Sequence, residues 1–107
     1  MSVGIDVRSL KDQARVVIIG AGIVGCSVAY HLTRMGVRDI IVVDQGPLFE
    51  TGGSTSHAPG MMFLVNFSKT MSKLAHYSAH LYSNLSLHGE PCGYKVGGME
   101  VAWTPER

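Results

Sequence analysis

The sequence has little net charge, few cysteines and no long apolar run, and each shortage narrows what it can do. Across 107 residues, nine Lys and Arg nearly balance eight Asp and Glu, for a formal charge of +1. Binding to nucleic acid generally needs a basic patch or stripe, so a nucleic-acid partner is not expected. No apolar stretch approaches the roughly 18 residues that would suggest a membrane-spanning helix. The first 14 residues (MSVGIDVRSLKDQA) mix polar and apolar positions and lack the hydrophobic stretch of a signal peptide. Only two cysteines occur, Cys26 and Cys92, far apart and in unlike surroundings. They make neither a disulfide framework nor a zinc pattern, and Cys26 is expected to pack as a small reduced thiol on a helix. Internal repeats and low-complexity segments are also missing. These shortages leave a soluble intracellular protein the size of one small domain.

Nearly half of the residues are apolar (46%), enough to build a core. Residues 15–19 (RVVII) form a β-branched run that ends at Gly20, as expected of a strand buried on both faces of a parallel sheet. From Val24 to Met35 the apolar positions Val24, Val28, Leu32 and Met35 recur at helical spacing, and Gly36 supplies a stop. Residues 40–43 (IIVV) give a second buried strand, closed by Asp44. The three form a βαβ unit whose crossover should be right-handed. Residues 45–60 are rich in glycine, proline and small hydroxyl residues and predict a loop holding a single helical turn. Ser68 is placed to cap a long helix reaching about Leu87, with Met71, Leu74, Ala75, Ser78, Leu81, Tyr82 and Leu85 as its buried stripe. Gly97-Gly98, flanked by residues 93–96 and 99–103, predicts a two-residue hairpin.

Residues 20–25 (GAGIVG) match G-x-G-x-x-G. The string alone is weak, but a strand precedes it, a helix follows, and an acid closes the next strand, which is the context a dinucleotide site requires. Gly20 permits the tight turn, Gly22 lets the backbone approach a pyrophosphate, and Gly25 lets helix and strand pack closely. Ile23 and Val24 would act through their backbone at the positive end of the helix. Asp44 follows Gly25 at about the 20-residue distance of an acid that binds the adenosine ribose and repels a 2′-phosphate, which disfavours NADP. The fingerprint itself leaves NAD and FAD open.

Residues 52–61 (GGSTSHAPGM) are more specific. With the fingerprint, Asp44-Gln45-Gly46-Pro47-Leu48, Ser68-Lys69-Thr70-Met71 and Val96-Gly97-Gly98-Met99-Glu100-Val101, they resemble the N-terminal part of the dimethylglycine oxidases and sarcosine dehydrogenases, flavoproteins of the D-amino-acid oxidase superfamily. The resemblance runs from about residue 15 to the end. It implies an α/β, Rossmann-type FAD-binding fold, incomplete here, with a parallel sheet, helices and a C-terminal β-hairpin. The domain plan is then an extension over 1–14 and a partial FAD-binding domain over 15–107, truncated at its C-terminus. By the same resemblance Asp44 and Gln45 contact the adenosine side of FAD. Ser54, Thr55, Ser56 and His57 lie along the cofactor towards the isoalloxazine, with Met61 nearby. Hydroxyl residues at such a loop can donate both N–H and O–H groups to phosphate and ribitol oxygens.

In several relatives a histidine at the position of His57 is bonded to the flavin 8-methyl carbon, and other superfamily members lack the bond. The chemistry needs a neutral imidazole nitrogen, which histidine offers at neutral pH. The family's catalytic residues come from later in such chains, so none is assigned. His76 and His80 stand at i, i+4, but no acid falls between them in an H-E-x-x-H pattern, and no metal site is expected. Tyr77, Tyr82 and Trp103 are expected in the core or an interface.

The implied parent enzyme oxidises an N-methylated amino acid such as dimethylglycine or sarcosine. It would act in the cytoplasm of a bacterium or the mitochondrial matrix of a eukaryote. Its expected partners are that small amine and the remaining C-terminal part of the same polypeptide, with neither nucleic acid nor membrane. A single βαβ unit leaves strand edges unpaired and one sheet face poorly covered, so the chain alone is expected to be marginally stable and inactive. Two alternatives remain open: a fragment of an NAD-binding Rossmann dehydrogenase, or a nucleotide-binding module without chemistry. A bound flavin would separate the first reading from both.

Overall fold

A computed structural model describes residues 11–47, 50 and 52–105. Most of the 1–14 extension, Leu48 and the last two residues lie outside the described residues. The chain divides into two compact units, Met1–Pro59 and Gly60–Arg107.

The first unit is a βαβ. Strand β1 (Val16–Ile19) leads into helix α1 (Ile23–Arg34) and then strand β2 (Ile40–Val43). The strands pair in parallel, Val16 opposite Ile40 and Ile19 opposite Val43. Helix α1 ends as its sequence predicts. Gly36 takes φ +84°, its N–H donates to the Thr33 carbonyl, and the Val37 N–H donates to the Leu32 carbonyl. Those two bonds make a Schellman motif, in which a glycine at positive φ lets the chain fold back over the last turn.

Burial departs from the expectation. Both strands were expected to be covered on two faces, yet β1 alternates between half-buried and exposed, with Val17 56% and Ile19 88% exposed. A two-stranded sheet with one helix has apolar cover for one face only, and among the described residues no side chain is fully buried. On α1 the half-buried positions include Gly25, Ala29 and Leu32, whereas Val24, Val28 and Met35 of the apolar repeat are exposed. Cys26 is exposed as well, its thiol donating to the Ala21 carbonyl.

The second unit carries helix α2 (Lys69–Ser83) and a short hairpin of β3 (Ser86–Leu87) and β4 (Glu90–Pro91). Ser68 caps α2, its hydroxyl accepting the Met71 N–H at 3.4 Å. The helix stops at Ser83 rather than near Leu87, because Asn84 and Leu85 turn back to bond Leu81 and Tyr82. Ala75, Ser78, Leu81, Tyr82 and Leu85 of the expected stripe are half-buried, while Met71 and Leu74 are exposed. Tyr77 and Trp103, expected in a core or interface, are exposed (53% and 91%).

A hairpin forms, but not at Gly97-Gly98. Its turn is His88-Gly89, at φ 52° and 88°, the pair of positive φ values that matches strand twist in a two-residue loop. Gly97 also has positive φ, yet no ladder closes around it, and Val96 and Met99 are each 90% exposed. A glycine pair permits a turn without supplying the cross-strand contacts that hold one.

Candidate functional site

The C-terminal ends of β1 and β2 place the glycine loop and the acid side by side, where an open α/β sheet offers its crevice. Gly20, at φ +106°, turns the chain out of β1, and its N–H donates to the Val43 carbonyl at 2.7 Å. The next N–H, from Ala21, donates to Asp44 Oδ2 at 2.7 Å, and the Gly46 N–H donates to Asp44 Oδ1 at 2.9 Å. One carboxylate therefore joins the loop after β1 to the turn after β2. The Ala21 N–H, then that of Gly46 and to a lesser degree that of Gln45, hold the Asp44 carboxyl below the usual carboxylate range, outweighing its desolvation.

Helix α1 starts against this loop. A Cβ on Gly25 would fall 1.9 Å from the Gly20 carbonyl oxygen and 3.3 Å from Ile18 Cγ2, so only glycine allows the first turn to approach the strand so closely. Gly22 is the N-cap and has no side chain with which to cap α1. The Ile23 N–H instead donates to Thr55 Oγ1 at 2.9 Å, across 32 residues of sequence. A Cβ on Gly22 would come within 3.0 Å of that same oxygen.

Thr55 belongs to a 3-10 turn, Ser54–His57, the single helical turn foreseen in the 45–60 loop. The Ser56 hydroxyl donates to the Gly53 carbonyl at 2.7 Å, and His57 Nδ1 lies 2.9 Å from the same oxygen. A carbonyl only accepts, so Nδ1 is the donor in this contact.

Ile19, Gly20, Gly22, Val43, Asp44, Gln45, Gly53, Ser54 and Thr55 line a cleft of about 530 Å3. Of the residues named from sequence, Gly20, Gly22, Asp44, Gln45, Ser54 and Thr55 are thus brought together. Ile23 joins them through its N–H, and Gly25 stands behind the loop. Val24 is 74% exposed. Ser56 and His57 turn to the Gly53 carbonyl rather than line the cleft. Met61 belongs to the second unit, where it is 67% exposed.

Sequence reasoning missed Ile19, Val43 and Gly53 as lining residues and Ala21 as a donor. The two strand ends could have been found from their place just before Gly20 and Asp44. Nothing in the sequence signals the Ala21 bond. His76 and His80 are exposed, and among the described residues no cluster of three metal-ligating side chains forms. No helix among the described residues is long and apolar enough to cross a membrane.

Residues 15–107 match the model of a family described as FAD dependent oxidoreductase. The chain is 42% identical over 101 residues to the mitochondrial pyruvate dehydrogenase phosphatase regulatory subunit of Mus musculus, covering 92% of this chain and 11% of that protein. It is 39% identical over 99 residues to mitochondrial dimethylglycine dehydrogenase of Rattus norvegicus, covering 91% and 11%. Over 100 residues it is 34% identical to the formaldehyde-forming 4-methylaminobutanoate oxidase of Paenarthrobacter nicotinovorans, covering 92% and 12%. The chain therefore spans only about a tenth of the length of these relatives.

Proposed function

The chain belongs to the FAD dependent oxidoreductase family, and from that premise we propose that its cleft holds the adenosine diphosphate portion of FAD in an oxidoreductase of N-methylated amino acids. One observation carries the reading: two distant side chains, Asp44 and Thr55, are both hydrogen-bonded to the backbone of the glycine loop at the start of α1.

The residues present fit such a group. The loop is backbone without side chains at Gly20, Gly22 and Gly25, and α1 turns its positive end towards it. Asp44 accepts from two N–H groups and retains lone pairs for ribose hydroxyls. Gln45 follows it in the chain, and Ser54 and Thr55 add hydroxyls to the lining of the cleft. Ser56, His57 and Met61 are proposed to follow the cofactor outward, and His57 is the residue proposed for a covalent tether. Val24 is proposed to contribute its backbone N–H, whereas that of Ile23 is taken by Thr55 and Ile23 acts through that hydroxyl.

When bound, the cofactor supplies a two-electron acceptor, N5, for a hydride leaving the N-methyl carbon of a substrate such as dimethylglycine or sarcosine. The printed names of the dehydrogenase and oxidase relatives support that substrate class. No described residue is assigned to the amine itself. The mitochondrial relatives support a matrix location in a eukaryote, and the cytoplasm is proposed for a bacterium.

A second reading has its own support. A relative at 42% identity is named as a regulatory subunit rather than an oxidase, which favours a dinucleotide-binding module without amine chemistry. The two readings part on a direct test. The longest reading frame that contains this chain is purified and its flavin absorbance recorded, then dimethylglycine is added without oxygen. Bleaching of the flavin is expected for the oxidoreductase. Bound flavin that no N-methyl amine bleaches would favour the module, and a colourless folded protein would end both FAD readings. Colour that stays with the acid-precipitated protein supports the His57 tether, provided that His57→Ala releases it.

A further inference from the structure

The first unit is electrically one-sided. Among residues 11–59 every lysine and arginine, Lys11, Arg15, Arg34 and Arg38, stands at the end of the βαβ where the parallel strands begin, away from the cleft. Arg15 immediately precedes β1, Arg34 closes α1, and Arg38 falls just before β2. The backbone gathers them. The Arg15 N–H donates at 3.1 Å to the carbonyl of Asp39, the residue after Arg38. Thr33, the neighbour of Arg34, lines a second cleft of about 420 Å3 together with Arg38 and Asp39. Lys11 is engaged already, its Nζ paired with Asp39 Oδ1 at 2.6 Å. The three arginines are exposed, and among the described residues none of them is in an ion pair. The negative end of α1 accounts for a cation at Arg34. It does not account for Arg15 or Arg38, which lie outside the helix and repel it and each other.

We propose that this end of the first unit docks a partner protein that presents clustered carboxylates, with Arg15, Arg34 and Arg38 as its anchors. A surface of one sign calls for a partner of the other, and a guanidinium fork matches a carboxylate with two parallel hydrogen bonds. The patch itself shows which anion it suits, because the one ion pair among the described residues is a cation there holding a carboxylate, Lys11 on Asp39. Two acids, Asp12 and Asp39, stand among the four bases. An unbroken row of phosphates would meet both of them. A protein surface can instead set carboxylates against the arginines and a cation against Asp12, which favours a mixed, mainly acidic partner over nucleic acid. Gly20 and Asp44 lie at the other end of the strands, so a partner seated here leaves the nucleotide cleft free. The proposal is therefore independent of what that cleft holds.

The test uses the longest reading frame that contains this chain, with a polyglutamate peptide as the acidic probe and an oligothymidylate of matching charge as the phosphate probe. Wild type should bind polyglutamate at low ionic strength and release it as salt rises past about 0.15 M, where the screening length is about 8 Å. Exposed charge pairs contribute modestly, so Arg38→Gln should weaken binding about 3-fold, and Arg34→Gln combined with Arg38→Gln about 10-fold. Lys73→Gln, on α2, should bind as wild type does. Amide hydrogen exchange over residues 33–39 should slow when the peptide is bound, and ADP should not displace it. The proposal is overturned if wild type does not bind polyglutamate at low salt, or if the arginine variants bind it as tightly as wild type. It is overturned equally if Lys73→Gln weakens binding as much as Arg38→Gln, or if ADP displaces the peptide. Tighter binding of the oligothymidylate, weakened by the same arginine substitutions, would assign the patch to nucleic acid and overturn it too. If the double variant does not fold, Arg38→Gln and Arg15→Gln taken singly decide.

Discussion

The two units use the same residue types for opposite purposes. In the first, beside local bonds such as Ser56 to Gly53, three side-chain hydrogen bonds reach far along the chain: Ala21 to Asp44 across 23 residues, Ile23 to Thr55 across 32, and Lys11 to Asp39 across 28. In the second, the bonds from Met71 to Ser68, Ser83 to Ala79 and Asn84 to His80 stay within a turn or two. One glycine from each unit makes the same contrast. Gly25 is required because another backbone atom occupies the place of its side chain, whereas Gly89 is required only for its φ of +88° and has open space around it. Long-range bonds converging on bare backbone are what a ligand site needs, because they fix donors that the loop alone would leave mobile. Local bonds hold an element in shape and leave little for a ligand to read.

The largest effects should come from breaking that contrast at glycine. In Gly25→Ala the new Cβ would overlap the Gly20 carbonyl, which has no flexible end to move aside. We expect a loss of stability of about 3 kcal/mol, the upper end of the overpacking range, together with loss of ADP binding. Gly89→Ala meets no atom and faces only the cost of a left-handed residue, about 1–2 kcal/mol. Denaturant melts of the two variants, each with an ADP titration, measure the difference. Equal losses in both would show that close approach is not what singles out the fingerprint.

Next in size is the charge of Asp44. Its backbone donors lower its folded pKa, so deprotonation favours the native loop. The sign follows from linkage: a depressed carboxyl contributes stability above its unfolded pKa and loses that contribution as pH falls through the folded value. ADP affinity should therefore be flat with respect to Asp44 through neutral pH and should fall in acid, below the ordinary carboxylate range. Asp44→Asn should bind ADP weakly at neutral pH and should lack that acid limb. Titrations of both proteins at constant ionic strength measure this. An acid limb that survives in Asp44→Asn would assign it to another group.

Much of this was legible in sequence, and the reason is locality. The βαβ order, the Gly36 stop, the Ser68 cap and the 3-10 turn all depend on residues within a few positions of one another, where composition and periodicity act directly. The first hairpin expectation failed for the complementary reason. Gly97-Gly98 carries the stronger turn signal, but the cross-strand contacts that decide a ladder are absent around it and present beside His88-Gly89. Burial failed likewise, since apolar spacing marks a face and cannot supply the layer that covers it. At the site, the fingerprint glycines and Asp44 were legible as types. That Asp44 reaches Ala21, and that Thr55 completes the helix, depended on contacts across 23 and 32 residues, which no local pattern encodes.

The smallest effect sharpens the comparison from the other side. Ser68 caps α2 as Thr55 caps α1, but from its own N-cap position and over a longer bond, 3.4 Å against 2.9 Å. Its bond satisfies one donor of the first turn, and a cap of this kind typically contributes about 1 kcal/mol. The long distance puts Ser68→Ala nearer about 0.5 kcal/mol, seen as faster exchange at the Met71 amide and a slightly lower denaturation midpoint. ADP binding should not change, because Ser68 and Met71 are not among the residues that line the cleft. The matched pair, Ser68→Ala and Thr55→Val, then isolates position from chemistry: a hydroxyl removed from a local cap costs helix stability alone, and a hydroxyl removed from the remote cap costs helix order and anion binding together. If Ser68→Ala weakened ADP binding as much as Thr55→Val, the two caps would be equivalent, and the long-range bond of Thr55 would have no special bearing on the ligand.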